Sequence, residues 1–191
     1  MASFFCIEIT VNDQQYCFQT NRLGMRSWIE SDKGKFVEMN RQPEVMRFFP
    51  SIATEANSLA GIERFNQHYD DFGYTYFAVD ELATGTWIGF IGLLNQTYES
   101  PWTPFVDIGW RLLPSHWGQG LATEGAKGCL QFAMDHTDLE ELFATASWKN
   151  LPSINVMDKI GMERVGEFVH PTFEAQHELQ PIVTYRIQLN R

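Results

Sequence analysis

Three short runs with strand chemistry lie almost end to end in the middle of the chain. They span 74–79, 86–94 and 105–113, and they limit what the chain can become. Each is rich in aromatic or β-branched residues, and Asp80-Glu81 marks a turn after the first. Connections this short cannot hold the crossover that a parallel pair requires, so the runs are expected to pair antiparallel. The pattern then switches. The stretch 118–136 carries Ala122, Ala126, Cys129, Leu130 and Ala133 on one helical face. A strand over 142–148 follows. Next comes a helix over 151–160, capped by Asn150 and stopped by Gly161, and then closing strands over 165–169 and 182–189. Upstream, 17–25 reads as extended, and Ser27 as the cap of a helix running to about Arg41. Pro43 and Pro50 bracket a short segment, and a second helix fits 54–71 with Gly73 at its end. The expected fold class is a mixed α/β (α+β) sheet with helices packed on it, in a single domain over 1–191.

Composition narrows the function classes. No apolar run approaches the roughly 20 residues of a membrane helix, and 1–10 carries Glu8 and no basic leader. Three cysteines without CxxC spacing argue against a disulfide framework, which points to a cytoplasmic location. Five histidines show no HExxH-like pair, so no metal site is expected. The formal charge of −10 disfavours a nucleic-acid partner. It fits either plain solubility or attraction of a cationic amine.

The chemistry concentrates in one stretch, where a strand ends at Leu113 and a glycine-rich turn opens a helix. Gly118, Gly120 and Ala122 alternate along that turn, so backbone N–H groups there can approach a ligand closely. The first N–H groups of a helix lack internal partners and carry the positive end of its dipole. Together these suit a pyrophosphate. Small residues at a helix start also serve packing alone. The turn is not a Walker loop, since no Gly-Lys-Ser/Thr follows, and the third glycine of a dinucleotide fingerprint is missing.

The run Trp117-Gly118-Gln119-Gly120-Leu121-Ala122 resembles the acyl-CoA pyrophosphate loop of the GNAT acetyltransferases, Gln/Arg-x-x-Gly-x-Gly/Ala. Gly120 and Ala122 match its last two positions. Trp117 departs from the first, as is common in the branch of the ribosomal-protein N-terminal acetyltransferases RimJ and RimL, where Gly-x-Gly-x-Ala-Thr-Glu is typical. The segment from Thr20 to Trp28 is similar to that branch's opening strand and first-helix entry. Asn150, Ser153, Lys159, Gly161 and Met162 resemble its Asn-x-x-Ser…Lys-x-Gly-Phe segment, with Met162 in place of an aromatic. The resemblance covers about 17–190 and leaves 1–16 outside as an N-terminal extension.

This resemblance implies a mostly antiparallel sheet of about seven strands, splayed in the middle, with helices on both faces. It implies acetyl-CoA as co-substrate and direct attack by a primary amine, in a monomer or homodimer. Trp110, Arg111 and Leu112 would offer backbone to the pantetheine arm. Trp117, Gly118, Gln119, Gly120, Leu121, Ala122 and Thr123 would hold the pyrophosphate. Asn150 would bond the pantetheine arm or only cap its helix. Ser153 would donate to the departing thiolate or only occupy the first turn. Asp107, which shares a strand face with Gly109 and Arg111, is the best-placed base, or else a salt-bridge partner. Val156 and Met157 stand where many relatives place a tyrosine acid. His116 could touch phosphate, serve as a base or only be a solvated loop histidine, Lys127 and Lys149 are weaker phosphate candidates or solvated lysines, and Glu124 reads as a helix-dipole partner. Phe48, Phe49, Tyr74 and Tyr76 are candidates to wall the acceptor pocket.

The attacking amine must be neutral. A lysine at a reference pKa of about 10.4 costs about 3.4 kcal/mol more to deprotonate than an α-amine at about 7.7–8.0. With no conspicuous base inside the motifs, a protein or peptide α-amine is favoured. A polyamine or aminoglycoside acceptor is the alternative, and an acyl-CoA-binding module without turnover is a third reading.

Overall fold

The computed structural model describes residues 9–11, 14–173 and 177–190. In chain order the elements are β1 (Ile9–Val11), β2 (Gln14–Tyr16), β3 (Phe18–Gln19), β4 (Leu23–Arg26), α1 (Asp32–Arg41), α2 (Pro43–Met46) and α3 (Glu55–Phe72). They continue with β5 (Tyr76–Glu81), β6 (Thr86–Gln96), β7 (Phe105–Leu112), α4 (Leu121–His136), β8 (Glu141–Ser147), α5 (Leu151–Lys159), β9 (Glu163–Phe168) and β10 (Ile182–Gln188). The main sheet runs β3-β4-β5-β6-β7-β8-β10-β9. It holds eight strands rather than seven, because 18–26 folds back as a hairpin and contributes two of them.

Every pairing in this sheet is antiparallel except β7 with β8. Those two run parallel and meet at a single point, Asp107 opposite Phe143. The break follows from the connection. The chain leaves β7, passes through α4 and returns as β8, so β8 enters beside β7 in the same direction. From β7 onward toward its C-terminal end, the two strands separate.

Helices cover both faces. On one face α4 and α5 bury Leu121, Ala126, Cys129, Val156, Met157 and Ile160 against Ile91, Leu93 and Ile108. On the other, α1 and α3 close an aromatic cluster of Trp28, Phe36, Phe65, Trp87 and Phe90. Alternation along β7 feeds both. Ile108 and Leu112 join the first core, while Asp107, Gly109 and Arg111 face the second helical layer.

Two expectations shift. The first helix begins at Asp32 with Ser31 before it, and Ser27 is not its cap. Residues 27–31 instead bring Trp28 into the aromatic cluster, and the Asp32 carboxylate accepts from the Ile29 N–H at 3.0 Å. Part of 1–16 is structured too. The β1–β2 hairpin leads to Tyr16, which is buried and donates to Asp80 Oδ2 at 3.3 Å. Residues 1–8, 12 and 13 lie outside the described residues.

Candidate active site

A cavity of about 900 Å³ follows the separation of β7 from β8 and reaches both faces of the sheet. Asp107 to Leu112 line one side, and Thr145, Ala146 and Ser147 the other. Backbone direction in the gap can be read from the ladder. The Leu113 N–H donates to Ile88 O at 2.9 Å, toward β6. By alternation the Arg111 and Gly109 amides also face β6, and those of Trp110 and Leu112 face the gap. The expected Trp110 and Leu112 amides thus point where a ligand can reach them. Arg111 differs, since its amide is turned toward Phe90 and its side chain lies on the α1–α3 face.

The loop before α4 forms the cavity's other end. Gly118 and Gly120 adopt φ of 72° and 77°, in the left-handed region that favours glycine. These two turns aim the loop amides outward. Among the described residues, no N–H from Gly118 to Thr123 donates to a protein acceptor, and α4 has no side-chain cap. A Cβ at Gly118 would meet nothing within 4 Å. This open cradle of bare amides fits a pyrophosphate.

Trp117 anchors the loop. Its indole Nε1 donates to Leu112 O at 2.7 Å, and the Arg47 guanidinium lies 4.7 Å from its ring centroid. Gln119 turns its amide back to Ser115 O at 2.9 Å, while Leu121, Ala122 and Thr123 line the cavity.

Sequence reasoning missed Arg22. Its Nε donates to Glu124 Oε2 at 2.6 Å and its Nη1 to Gln119 O at 3.1 Å, which places a guanidinium beside Gly120. Glu124 is occupied with Arg22 and Thr20, as a structural residue would be. Lys149 is paired with Glu178 at 2.7 Å, and His116 is half-buried at the cavity lining with its ring bonded to Ser115.

Asn150 and Ser153 border the cavity from α5. The Asn150 Oδ1 accepts from the Ser153 N–H at 3.3 Å, so the cap is formed and the amide nitrogen is left for other partners. Val156 and Met157, which have no proton to give, line the cavity from that turn of α5, and Asp158 is not in the lining.

Asp107 stands where β7 and β8 part. Its Oδ2 accepts from the Tyr76 hydroxyl, and its buried Oδ1 has no hydrogen-bond partner. Burial pushes this carboxyl up to about 7, and the Tyr76 hydroxyl and the polarity of the nearby Thr145 backbone, which makes no hydrogen bond to Oδ1, offset only part of that. Burial and the nearby carboxylate hold Tyr76 well above the ordinary phenol range, so it stays a donor. The Tyr76 ring reaches Asp107 across two strands because Tyr76, Gly92 and Gly109 are aligned in register. A Cβ on Gly109 would sit 2.7 Å from the Tyr76 hydroxyl. Phe48, Phe49, Phe90 and Tyr98 complete this half of the wall. Tyr74 is not part of it and instead bonds Asn95 at 2.7 Å.

A mixed sheet parted at one strand pair, with bare amides on a helix start and an unspent carboxyl at the fork, offers the parts that acyl transfer needs. Residues 22–163 match the family model described as acetyltransferase (GNAT) domain, and the chain belongs to this family of acetyl-transferring enzymes. A non-catalytic binding module is thereby set aside.

Among curated relatives, the chain is 27% identical over 150 residues to the uncharacterized N-acetyltransferase YnaD of Bacillus subtilis, covering 78% of this chain and 84% of that one. Among solved structures it is similar to the ribosomal-protein-S5-alanine acetyltransferase from Vibrio fischeri. There the TM-score is 0.70 and the identity 16%, over 91% of this chain and 96% of that one. It is also similar to the spermidine N-acetyltransferase from Vibrio cholerae in complex with CoA and spermine. That TM-score is 0.69 and the identity 18%, over 88% of this chain and 96% of that one. These likenesses establish the fold. Their acceptors differ from one another, so the fold leaves the acceptor open.

Proposed function

We propose that the chain acetylates the α-amine of a peptide or protein N-terminus, in the manner of the RimJ/RimL-like branch. Acetyl-CoA lies along the gap with its pyrophosphate on the amides from Gly118 to Thr123. The Trp110 and Leu112 amides hold the pantetheine arm, the Asn150 side chain adds a further bond, and a gap-facing N–H polarises the thioester carbonyl. The amine approaches from the α1–α3 face. Asp107 takes its proton, directly or through one water, as nitrogen attacks the carbonyl carbon. The tetrahedral intermediate collapses, the C–S bond breaks, and the thiolate leaves toward Ser153, whose hydroxyl donates to it.

The observation that carries this reading is the Asp107 carboxyl, orphaned at Oδ1 and raised to about 7 at the fork of the sheet. A base at that pKa serves an α-amine well and a lysine poorly. The cavity also speaks against a polycation. The acids lining it are Glu44 and Asp107, against Arg47, Arg64, Arg111 and Lys159. A spermidine-like or aminoglycoside acceptor needs a cluster of carboxylates, and the lining has none. The family-typical loop run and the likeness to an S5-alanine acetyltransferase support the branch.

The test is thiol release from acetyl-CoA with Ser- and Ala-initiated peptides, polyamines and aminoglycosides side by side. Turnover with peptides and none with polycations is expected. The reverse order overturns the acceptor assignment.

A further inference from the structure

Arg111 stands out among the charges of the acceptor half. Its Nη1 donates to Asn40 Oδ1 at 2.7 Å, and its guanidinium lies 4.1 Å from the Phe49 centroid and 5.3 Å from that of Phe90. Asn40 is held by its own amide, which donates to Ser58 Oγ at 3.1 Å. The Nε of Arg111 is sealed from solvent and unpaired. Among the described residues, no carboxylate lies within ion-pair distance of it.

Arg26 shows how this chain otherwise buries a guanidinium. It is 4% exposed and is gripped by both oxygens of Asp32 and both of Asp80. A chain with 24 acids and 14 lysines and arginines has no shortage of carboxylates to spend. A half-buried cation with a sealed Nε and no anion is costly, and its N–H groups are directed by a neutral amide and two aromatic faces into a cavity. Burial pulls Arg111 down to about 10, so it remains a cation at neutral pH. The arrangement is that of a half-built ion pair.

We propose that Arg111 receives a carboxylate of the acceptor, so that the preferred substrates are peptide N-termini with an acidic group within the first few residues. This deepens, and rests on, the α-amine reading above. Asp107 and Arg111 share a strand face four residues apart, about 13 Å at the strand rise per residue. An extended peptide bridges that span in roughly three to four residues. The α-amine then sits at Asp107 while a side-chain or C-terminal carboxylate reaches the guanidinium.

The experiment compares amidated tetrapeptides beginning with Ser, with Glu or Gln placed at the second, third or fourth position. Tri-alanine as free acid and as amide separates the C-terminal source from the side-chain source. With the native enzyme, the best Glu peptide, or the free acid, is expected to exceed its neutral counterpart about 10- to 100-fold in kcat/KM, the loss of one charge-assisted pair. In Arg111→Gln that preference vanishes while the KM for acetyl-CoA holds. In Arg111→Lys it is partly retained.

Equal rates for Glu and Gln at every position in the native enzyme overturn the inference without any need for a variant. So does a preference that survives in a folded Arg111→Gln, or an effect carried by the acetyl-CoA KM. Transfer to every peptide alike sinks only the carboxylate site. Failure to transfer to any peptide overturns the α-amine reading and the inference with it.

Discussion

Asp107 gives the most exposed prediction. Its carboxyl titrates at about 7 because burial outweighs the Tyr76 hydroxyl bond, and only the ionised form can accept a proton from the amine. The enzyme's own contribution to the rate should therefore rise about tenfold per pH unit below 7 and level off above it. Replacing Tyr76 by Phe deletes the hydrogen bond that favours the ionised form. A bond to a charged group contributes about 1.5–3 kcal/mol, so the midpoint moves upward by about one to two pH units. The acceptor α-amine has its own limb near 7.7–8.0, but that limb belongs to the substrate and stays in place in the variant. Asp107→Asn should abolish the enzyme limb and lower kcat by about 10²- to 10⁴-fold.

Stability gives an independent reading of the same group. The folded pKa of about 7 lies above the ordinary 3.8, so the folded state holds the proton more tightly between these values. Stability then falls as pH rises from about 4 to 7, by roughly three pH units at 1.36 kcal/mol each, or about 4 kcal/mol. Asp107→Asn should match the native chain near pH 4 and exceed it in urea melts at pH 8. Thiol release across pH 5.5–9.5 and the paired melts check both halves. A Tyr76→Phe profile that superimposes on the native one, or an Asp107→Asn enzyme that is both active and no more stable at pH 8, refutes the assignment.

Gly120→Asp should remove acetyl-CoA binding in calorimetry and cancel the ligand's thermal shift, because a carboxylate would enter the amide cradle. Gly120→Ala isolates the backbone cost at φ 77°, about 1 kcal/mol, and should keep most of the affinity. Ser153→Ala should lower kcat more than it raises the KM for acetyl-CoA if the hydroxyl serves the thiolate, and equal kinetics would remove that role. Asp32→Ala strands part of the Arg26 guanidinium in the core, so chemical denaturation should show a loss of about 3–5 kcal/mol with site chemistry unchanged in the surviving folded fraction.

The parts of this molecule that were legible in the sequence are those with local causes. Thr54 and Gly73 bound α3 as capping chemistry demands. The Thr54 side chain accepts from the Asn57 N–H at 3.1 Å, and Gly73 closes the helix at φ 76°. Asn150 caps α5 for the same reason. Ser27 misled because a cap residue type is common, while the start of α1 is fixed by Asp32, whose carboxylate answers Arg26 and the Ile29 N–H. The eighth strand was not legible because β3 has two residues, too few to carry a period. Arg22 gave no local sign, since its partner Glu124 is 102 positions away.

The Tyr76–Asp107 pair was hidden in the same way, yet its trace is present as two glycines, Gly92 and Gly109, inside otherwise β-rich runs. Glycine weakens a strand, so two of them aligned in register mark a crowded path across the sheet: a Cβ on Gly92 would meet the β5 backbone around Tyr76, and one on Gly109 the Tyr76 hydroxyl. What crosses is the Tyr76 ring, and its hydroxyl ends on the one carboxyl that lies where the sheet divides. The division exposes backbone donors on the Trp110 side, and the same division leaves Asp107 Oδ1 without a partner. Donors for a thioester and an acceptor for an amine proton therefore arise from one local defect in pairing. That defect is built by the order β7, α4, β8, so the chemistry of the site is a consequence of topology before it is a choice of side chains.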